Sequence, residues 1–154
     1  MGAPQVTQSS TALSMTSAVE INIAAPPETI WGLLTDAKGF PRWNSTVTEI
    51  DGEIRDGARI RIHAPGTNQT FTPVISGLVP NRRMTWTGGA SGIFRGVRTF
   101  EVKALDDGST DFMMRERFSG LMFALARRSL PDFRVVFATY AENLGDEAER
   151  ISKA

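Results

Sequence analysis

One stretch near the end of the chain decides the fold: residues 129–152, which read SLPDFRVVFATYAENLGDEAERIS. Its apolar side chains recur at helical spacing, at Phe133, Val136, Phe137, Tyr140, Leu144, Ala148 and Ile151. Ser129 and Asp132 match a capping box in form, and Pro131 suits a first helical turn. The pattern predicts a helix over residues 131–152, about 33 Å long at 1.5 Å per residue.

Short segments with alternating polar and apolar residues precede this helix. Residues 19–23 predict a first strand, and two short helical segments follow over 28–34 and 36–43. Six further strands are predicted at 45–51, 58–64, 69–79, 82–88, 95–105 and 110–119. Turn signals at short intervals, one of them at 65–68, are typical of an antiparallel sheet.

The widths of these elements predict how they pack. Seven strands about 4.8 Å apart make a sheet about 30 Å across, whereas one helix is only about 10–12 Å in diameter. The sheet must therefore curl around the helix, and an internal cavity is expected between them. The predicted fold class is α+β, a seven-stranded curved antiparallel sheet around a long C-terminal helix, with two short helices after the first strand.

The composition excludes several classes of protein. Basic and acidic side chains number 17 each, which argues against a nucleic-acid binder, and the chain has no cysteine and one histidine. No metal site and no cofactor are predicted. The polar residues 1–16 are interpreted as a disordered leader before a single domain at 17–154. The longest apolar stretch, residues 121–126, is too short to span a bilayer, so a cytoplasmic protein is expected.

Several local segments resemble one known superfamily. They are APPETIW at 25–31, LTD at 34–36 with FPRWN at 40–44, and DGST at 107–110 with ERFSGL at 116–121. Together with the order of the elements over residues 18–152, they resemble the helix-grip fold of the SRPBCC superfamily. This superfamily includes START-related domains, birch-pollen-allergen-like proteins and polyketide cyclase/dehydrase families. The resemblance implies the helix-grip fold and a small hydrophobic ligand, and it carries over no catalytic motif.

Two charged residues interrupt the apolar faces of the last hairpin. Alternation places Arg98 beside Phe100, and Glu116 between Met114 and Phe118, on faces that should point inward. A three-residue turn with left-handed Gly108 would set Arg98 directly opposite Glu116. The pair is either a salt bridge that only satisfies itself or a polar anchor for a ligand in an apolar cavity.

Other candidate ligand-binding residues are apolar or aromatic: Trp43, Trp86, Phe100, Met114, Phe118, Phe137 and Tyr140. For each of them plain core packing is the alternative. Residues 121–123 form either a flexible lip at the cavity mouth or a short helix packed on the core. His63 lies on the face of its predicted strand opposite Ile60 and Ile62, so its side chain is expected to be exposed.

Three functions fit these features. The first is a module that binds a lipid, an aromatic or a polyketide-like molecule in the internal cavity. The second is a cyclase, aromatase or dehydratase with Glu116 as acid or base and Arg98 or Tyr140 polarising a carbonyl. The third is a protein-interaction module resembling chaperone activators, which a solid interior would favour. The partner expected is a small hydrophobic ligand, and a homodimer is compatible with the sequence.

Overall fold

The long C-terminal helix, α4, runs from Phe133 to Ser152 in the computed structural model, which describes residues 1–47, 49–63 and 70–154. It begins two residues later than predicted. The carboxylate of Asp132 accepts a hydrogen bond from the backbone N–H of Arg134, so Asp132 is the N-cap. Ser129 instead ends a 3-10 turn over Arg127–Ser129, and the predicted capping box is wrong.

Two antiparallel sheets contain the strands of the described residues. The larger sheet has six strands in the order β1-β2-β9-β8-β7-β6, and the smaller has the order β3-β4-β5. The strands are β1 Gln5–Ser10, β2 Ser14–Ile23, β3 Glu49–Asp51, β4 Arg61–His63, β5 Thr70–Phe71, β6 Val74–Val79, β7 Arg83–Ala90, β8 Phe94–Ala104 and β9 Thr110–Ser119.

Three short helices complete the architecture. The first is α1, Pro27–Thr35, followed by a 3-10 turn over Ala37–Gly39 and by α2, Phe40–Trp43. The third, α3, spans Leu121–Ala126 between β9 and the turn that leads into α4. The helix-grip arrangement of the α+β class is confirmed, with the curved sheet packed on α4.

The strand count differs from the prediction of one seven-stranded sheet. The predicted strand 69–79 divides into β5 and β6 at Thr72–Pro73, because proline has no N–H for a sheet ladder. The short strands β3, β4 and β5 then form their own sheet. Thr48, the ends of two predicted strands at Ala64 and Gln69, and the predicted turn at 65–68 lie outside the described residues.

The N-terminal residues differ most from their interpretation as a disordered leader. Residues 5–10 form β1, which pairs with β2 in continuous register from Gln5↔Glu20 to Ser10↔Met15. Only Val6 of this edge strand packs against the core. Backbone pairing therefore orders a segment whose side chains are almost all polar and exposed. The composition of this segment resembles that of a disordered chain, so composition does not reveal the strand.

The main core lies between the inner face of the large sheet and α4. Fully buried side chains on that face include Val19, Met84, Phe100, Phe112 and Met114. The buried face of α4 comprises Phe137, Tyr140, Ala141, Leu144, Gly145 and Ala148. A smaller cluster of Met15, Phe118 and Phe123 lies at one end, where α3 covers the sheet.

Gly120, the single residue between β9 and α3, is expected not to tolerate a side chain. Its φ is +113°, and a Cβ there would overlap the carbonyl oxygen of Ile93. Gly120→Ala should therefore lower the free energy of unfolding by about 3 kcal/mol, from left-handed strain and a backbone clash together. Gly92→Ala is the matched control, since Gly92 has φ +81° and open space around it. Urea unfolding curves that show equal losses for both variants would contradict the close approach.

Candidate functional site

One row of side chains crosses the inner face of the large sheet in register. Trp86 pairs with Arg98, Arg98 with Glu116, Glu116 with Ser17, and Ser17 with Gln8. The hydroxyl of Ser17, a fully buried residue, donates to Gln8 Oε1 at 3.3 Å. A polar line thus runs from the centre of the sheet to its β1 edge, inside an otherwise apolar face.

The centre of this row is the ion pair between Arg98 and Glu116. Both Nε and Nη2 of Arg98 donate to Glu116 Oε2, at 2.9 and 2.6 Å. The side chains are only 18% and 13% exposed, and the guanidinium carbon lies 5.3 Å from the Phe137 ring centre. The predicted inward pairing is confirmed, including the turn with Gly108 at φ +85°. Its role in ligand binding stays a prediction.

The second carboxylate oxygen of Glu116 lies on the side of the pair that faces Gly96. A Cβ at Gly96 would lie 3.3 Å from Glu116 Oε1 and 3.6 Å from the Phe118 ring. Both hydrogen bonds from Arg98 go to the other oxygen, Oε2. Oε1 is therefore directed along the sheet toward Phe118, and the missing side chain of Gly96 leaves it room.

Three hydrogen-bonding groups in the interior of the domain are buried without a partner among the described residues. They are Trp43 Nε1, Asn44 Nδ2 and the hydroxyl of Tyr140, all of them able to donate. Burial raises the pKa of the Tyr140 phenol well above its usual value, and the positive charge of Arg98 opposes that rise. Tyr140 thus keeps its proton and is a donor at neutral pH.

The rings around Tyr140 fix the position of these donors. Trp43 lies edge-on to Tyr140 with ring centres 5.8 Å apart, and Phe112 stacks on it at 6.4 Å. The loop after Trp43 is tied to α4, because Ser45 donates through N and Oγ to Asn143 Oδ1 at 2.9 Å. Buried polar groups normally find a partner, so the contacting rings of Trp43 and Tyr140 carry two unpaired donors inside an apolar cluster.

The aromatic and apolar residues predicted to bind ligand are distributed over two clusters. The main cluster contains Trp43, Trp86, Phe100, Met114, Phe137 and Tyr140, whereas Phe118 belongs to the smaller one. All of them are buried, and they pack against one another. Trp86, for example, lies 4.9 Å from Phe100 between ring centres and donates its Nε1 proton to Met84 sulfur.

A pocket of about 360 Å³ opens at the end of the sheet beside the 3-10 turn that precedes α4. Its lining includes Gln8, Met15, Phe123, Leu130 and Phe133. A second pocket, of about 420 Å³, lies between residues 1–4 and the acidic residues 142 and 146 of α4. None of the nine predicted ligand-binding residues lines either of these two pockets, so both lie outside the expected site between sheet and helix.

Sequence reasoning missed three residues of this region. Ser17 and Gln8 extend the polar row, and Asn44 contributes a buried amide. The alternation of Val19 and Ile21 would have placed Ser17 on the inner face if it had been continued backward by one step. Ser17 lies between the predicted strand 19–23 and the residues 1–16 interpreted as a leader, so neither prediction includes it.

The small sheet brings together the only three side chains of metal-ligating type that form a group among the described residues. Ligand atoms of Glu49, Asp51 and His63 lie within 4.8 Å of one another. His63 Nε2 lies 3.4 Å from Asp51 Oδ2, and the His63 side chain is 37% exposed, so the residue is partly exposed where the sequence predicts an exposed one. The group is on the surface of the molecule and remote from the polar row in sequence.

A family model described as "Polyketide cyclase / dehydrase and lipid transport" matches residues 14–149. The chain belongs to this family. The polyketide cyclase/dehydrase and lipid transport family is part of the predicted SRPBCC superfamily, so that prediction is confirmed. No curated protein matches the chain in sequence.

Several solved structures are similar in fold to this chain. Protein MLL2253 from Mesorhizobium loti is 23% identical, with a TM-score of 0.67 over 88% of this chain and 97% of that one. A START superfamily protein from Mycobacterium smegmatis is 16% identical, with a TM-score of 0.65 over 88% and 98%. Hypothetical protein jhp0584 from Helicobacter pylori is 15% identical, with a TM-score of 0.71 over 85% and 86%. These likenesses show the fold.

Among the described residues, no helix has the length and apolarity needed to cross a membrane.

Proposed function

We propose that the chain binds a small hydrophobic ligand between the large sheet and α4, with the polar end of the ligand at the Arg98–Glu116 pair. The observation that carries the proposal is an ion pair inside an apolar face, beside a buried tyrosine hydroxyl that has no partner among the described residues. The family description, which includes lipid transport, supports the same class of function.

The pocket at the end of the sheet supports a route to the ion pair. Met15 of the pocket and Ser17 of the polar row lie on the same face of β2, and Phe133 of the pocket is one turn before Phe137 on α4. The stacked rings of Phe118 and Phe133, with centres 4.7 Å apart, lie between the pocket and the ion pair. We infer that a ligand enters beside these rings and displaces them.

The groups along this route favour a particular ligand chemistry. Glu116 Oε1 is an acceptor, and the hydroxyl of Tyr140, whose ring centre lies 5.9 Å from the Arg98 guanidinium carbon, offers a donor. A hydroxyl on the ligand could donate to Glu116 Oε1 and accept from the Tyr140 hydroxyl, whereas a carbonyl could accept only. The rest of the ligand would contact aromatic rings. A flat aromatic alcohol therefore fits better than a purely apolar molecule.

A matched pair of probes, naphthol and naphthalene, tests the proposal on the purified chain. Naphthol at about a hundredfold excess over its Kd should stabilise the folded state by about 2.7 kcal/mol, which raises Tm by about 5–10 °C. Naphthalene should bind more weakly, because it makes no hydrogen bond. Tyr140→Phe should weaken naphthol binding about threefold to tenfold, leave naphthalene binding unchanged and retain full thermal stability.

Stability of the Tyr140→Phe variant is the internal control, because removing an unpaired buried hydroxyl costs the folded protein nothing. Native mass spectrometry of the purified chain should also show a bound small molecule if the ligand is retained during purification. No thermal shift with naphthol, with a fatty acid or with anilinonaphthalene sulfonate would contradict the binding function.

A further inference from the structure

Five large apolar side chains are exposed together at one end of the molecule. They are between 51% and 72% exposed, and we call them the apolar tip: Leu13, Ile93, Leu121, Met122 and Leu125. Water contact with large aliphatic groups is unfavourable, and a cluster of them on one surface indicates an interaction site. The fold and the ligand site do not account for this cluster.

Backbone hydrogen bonds make the apolar tip one surface. The N–H of Gly120 donates to the carbonyl of Leu13 at 3.0 Å, which joins the start of α3 to the β1–β2 turn. The N–H of Met122 donates to the carbonyl of Ile93 at 2.8 Å, which joins α3 to the β7–β8 turn. Two hairpin tips and a helix are thereby held side by side.

The helix α3 exposes apolar side chains where a surface helix normally exposes polar ones. Phe123 is fully buried against Phe118, and the ring centres are 6.0 Å apart. Leu121, Met122 and Leu125 point to the opposite side, and Leu125 is 72% exposed. A helix with apolar residues on both faces needs a second apolar environment on its outer side.

The charge around the apolar tip is strongly basic although the whole chain is neutral. The segments 8–16, 88–97 and 115–136, which build this end, contain two acidic residues, Glu116 and Asp132. They contain six basic ones: Arg95, Arg115, Arg117, Arg127, Arg128 and Arg134. Glu116 faces inward to Arg98, and Asp132 is paired with Arg134. Within the described residues, Arg95, Arg117 and Arg128 form no salt bridge.

We propose that the apolar tip docks on the surface of an anionic lipid bilayer. Aliphatic side chains that enter the boundary of the acyl chains, with arginines at the level of anionic headgroups, are the chemistry by which proteins bind at such an interface. Nucleic acid would match the arginines but not the aliphatic groups. Docking does not depend on the proposed ligand, although it would turn the pocket beside Phe123 toward the bilayer.

Flotation of the full chain with vesicles tests this docking. Binding is expected to vesicles of seven parts phosphatidylcholine and three parts phosphatidylglycerol, and to be much weaker to phosphatidylcholine alone. Leu121→Ser with Leu125→Ser should reduce partitioning at least about a hundredfold, about tenfold per leucine. Arg117→Gln with Arg128→Gln should reduce it about 25-fold, about fivefold per arginine. Raising the salt from about 0.1 M to about 1 M should weaken binding, because it shortens the Debye length from about 10 Å to about 3 Å.

Matched variants away from the apolar tip separate docking from a general change of surface. Ile151→Ser removes an exposed aliphatic residue on α4, and Arg82→Gln removes an exposed charge near the opposite end of β7; both should bind vesicles like the unchanged chain. All variants should keep their Tm and their affinity for naphthol. Docking is refuted if the unchanged chain does not float with anionic vesicles or if the leucine variant floats equally well. It is also refuted if Leu121→Ser with Leu125→Ser only converts a dimer to a monomer in sedimentation.

Discussion

Leu144→Asp is expected to unfold the domain at ordinary temperature. Leu144 is fully buried on the face of α4 that packs against the sheet. Aspartate there would lose the apolar contacts and would place a carboxylate where no water can solvate it, a loss of about 5 kcal/mol or more. Domains of this size have only about 5–15 kcal/mol of stability in total. Circular dichroism should show loss of the native signal or a greatly lowered melting temperature.

Val135→Asp provides the control on the same helix. Val135 is 63% exposed in the first turn of α4, where a negative charge is favourable to the helix, so this variant should melt within a few degrees of the unchanged chain. Position 137 is a weaker test, because Arg98 lies 5.3 Å from the Phe137 ring and could pair with an aspartate. If Leu144→Asp melts like Val135→Asp, α4 does not pack on the sheet in solution.

The hairpin of β8 and β9 shows what the sequence could predict. Alternation over ten residues gives one face unambiguously, and a short turn with Gly108 in the left-handed region fixes the register. Both depend only on neighbouring residues in the chain. The pairing of Arg98 with Glu116 follows from these two facts, without any knowledge of the rest of the fold.

The interior between sheet and helix could not be predicted in the same way. The width of the sheet relative to one helix indicated that the space between them must be filled. This comparison of widths does not take into account the volume of the aromatic side chains that fill the space. The ring of Tyr140, for example, lies within 6.4 Å of the rings of Trp43, Phe100 and Phe112, measured between ring centres. Packing depends on many side chains at once, so the position of the pocket beside Phe133 was not visible in the pattern.

Strand β1 was missed for a different physical reason. Its order comes from backbone hydrogen bonds to β2, which every residue except proline can form, and composition does not record them. Ser17 follows directly on the residues interpreted as a leader, so its inner position was not predicted either. Of the polar row across the sheet, the sequence therefore predicted only Arg98 and Glu116.

Removing one partner of the Arg98–Glu116 pair is expected to cost about 3 kcal/mol of stability. Glu116→Leu leaves the guanidinium over the rings of Phe137 and Tyr140 without a carboxylate. Arg98→Met leaves the largely buried Glu116 carboxylate without its guanidinium partner. Breaking a buried pair costs about 3–5 kcal/mol, and the lower value applies because the side chains are 18% and 13% exposed. Urea unfolding measures the losses. The exposed pair Arg55–Glu53 is the control, and its replacement by methionine and leucine should change stability by less than about 0.5 kcal/mol.

The double variant, Arg98→Met with Glu116→Leu, separates a structural pair from a ligand anchor. Both charges are gone, so most of the stability lost in either single variant should return. A pair that only satisfies itself would leave the affinities for naphthol and naphthalene unchanged. An anchor predicts that the double variant folds, binds naphthalene like the unchanged chain and loses its preference for naphthol, because Glu116 Oε1 no longer accepts the hydroxyl proton. A double variant that keeps the naphthol preference would refute the anchor, and one as unstable as the sum of its single variants would show that the rings around Tyr140 need the charges to pack.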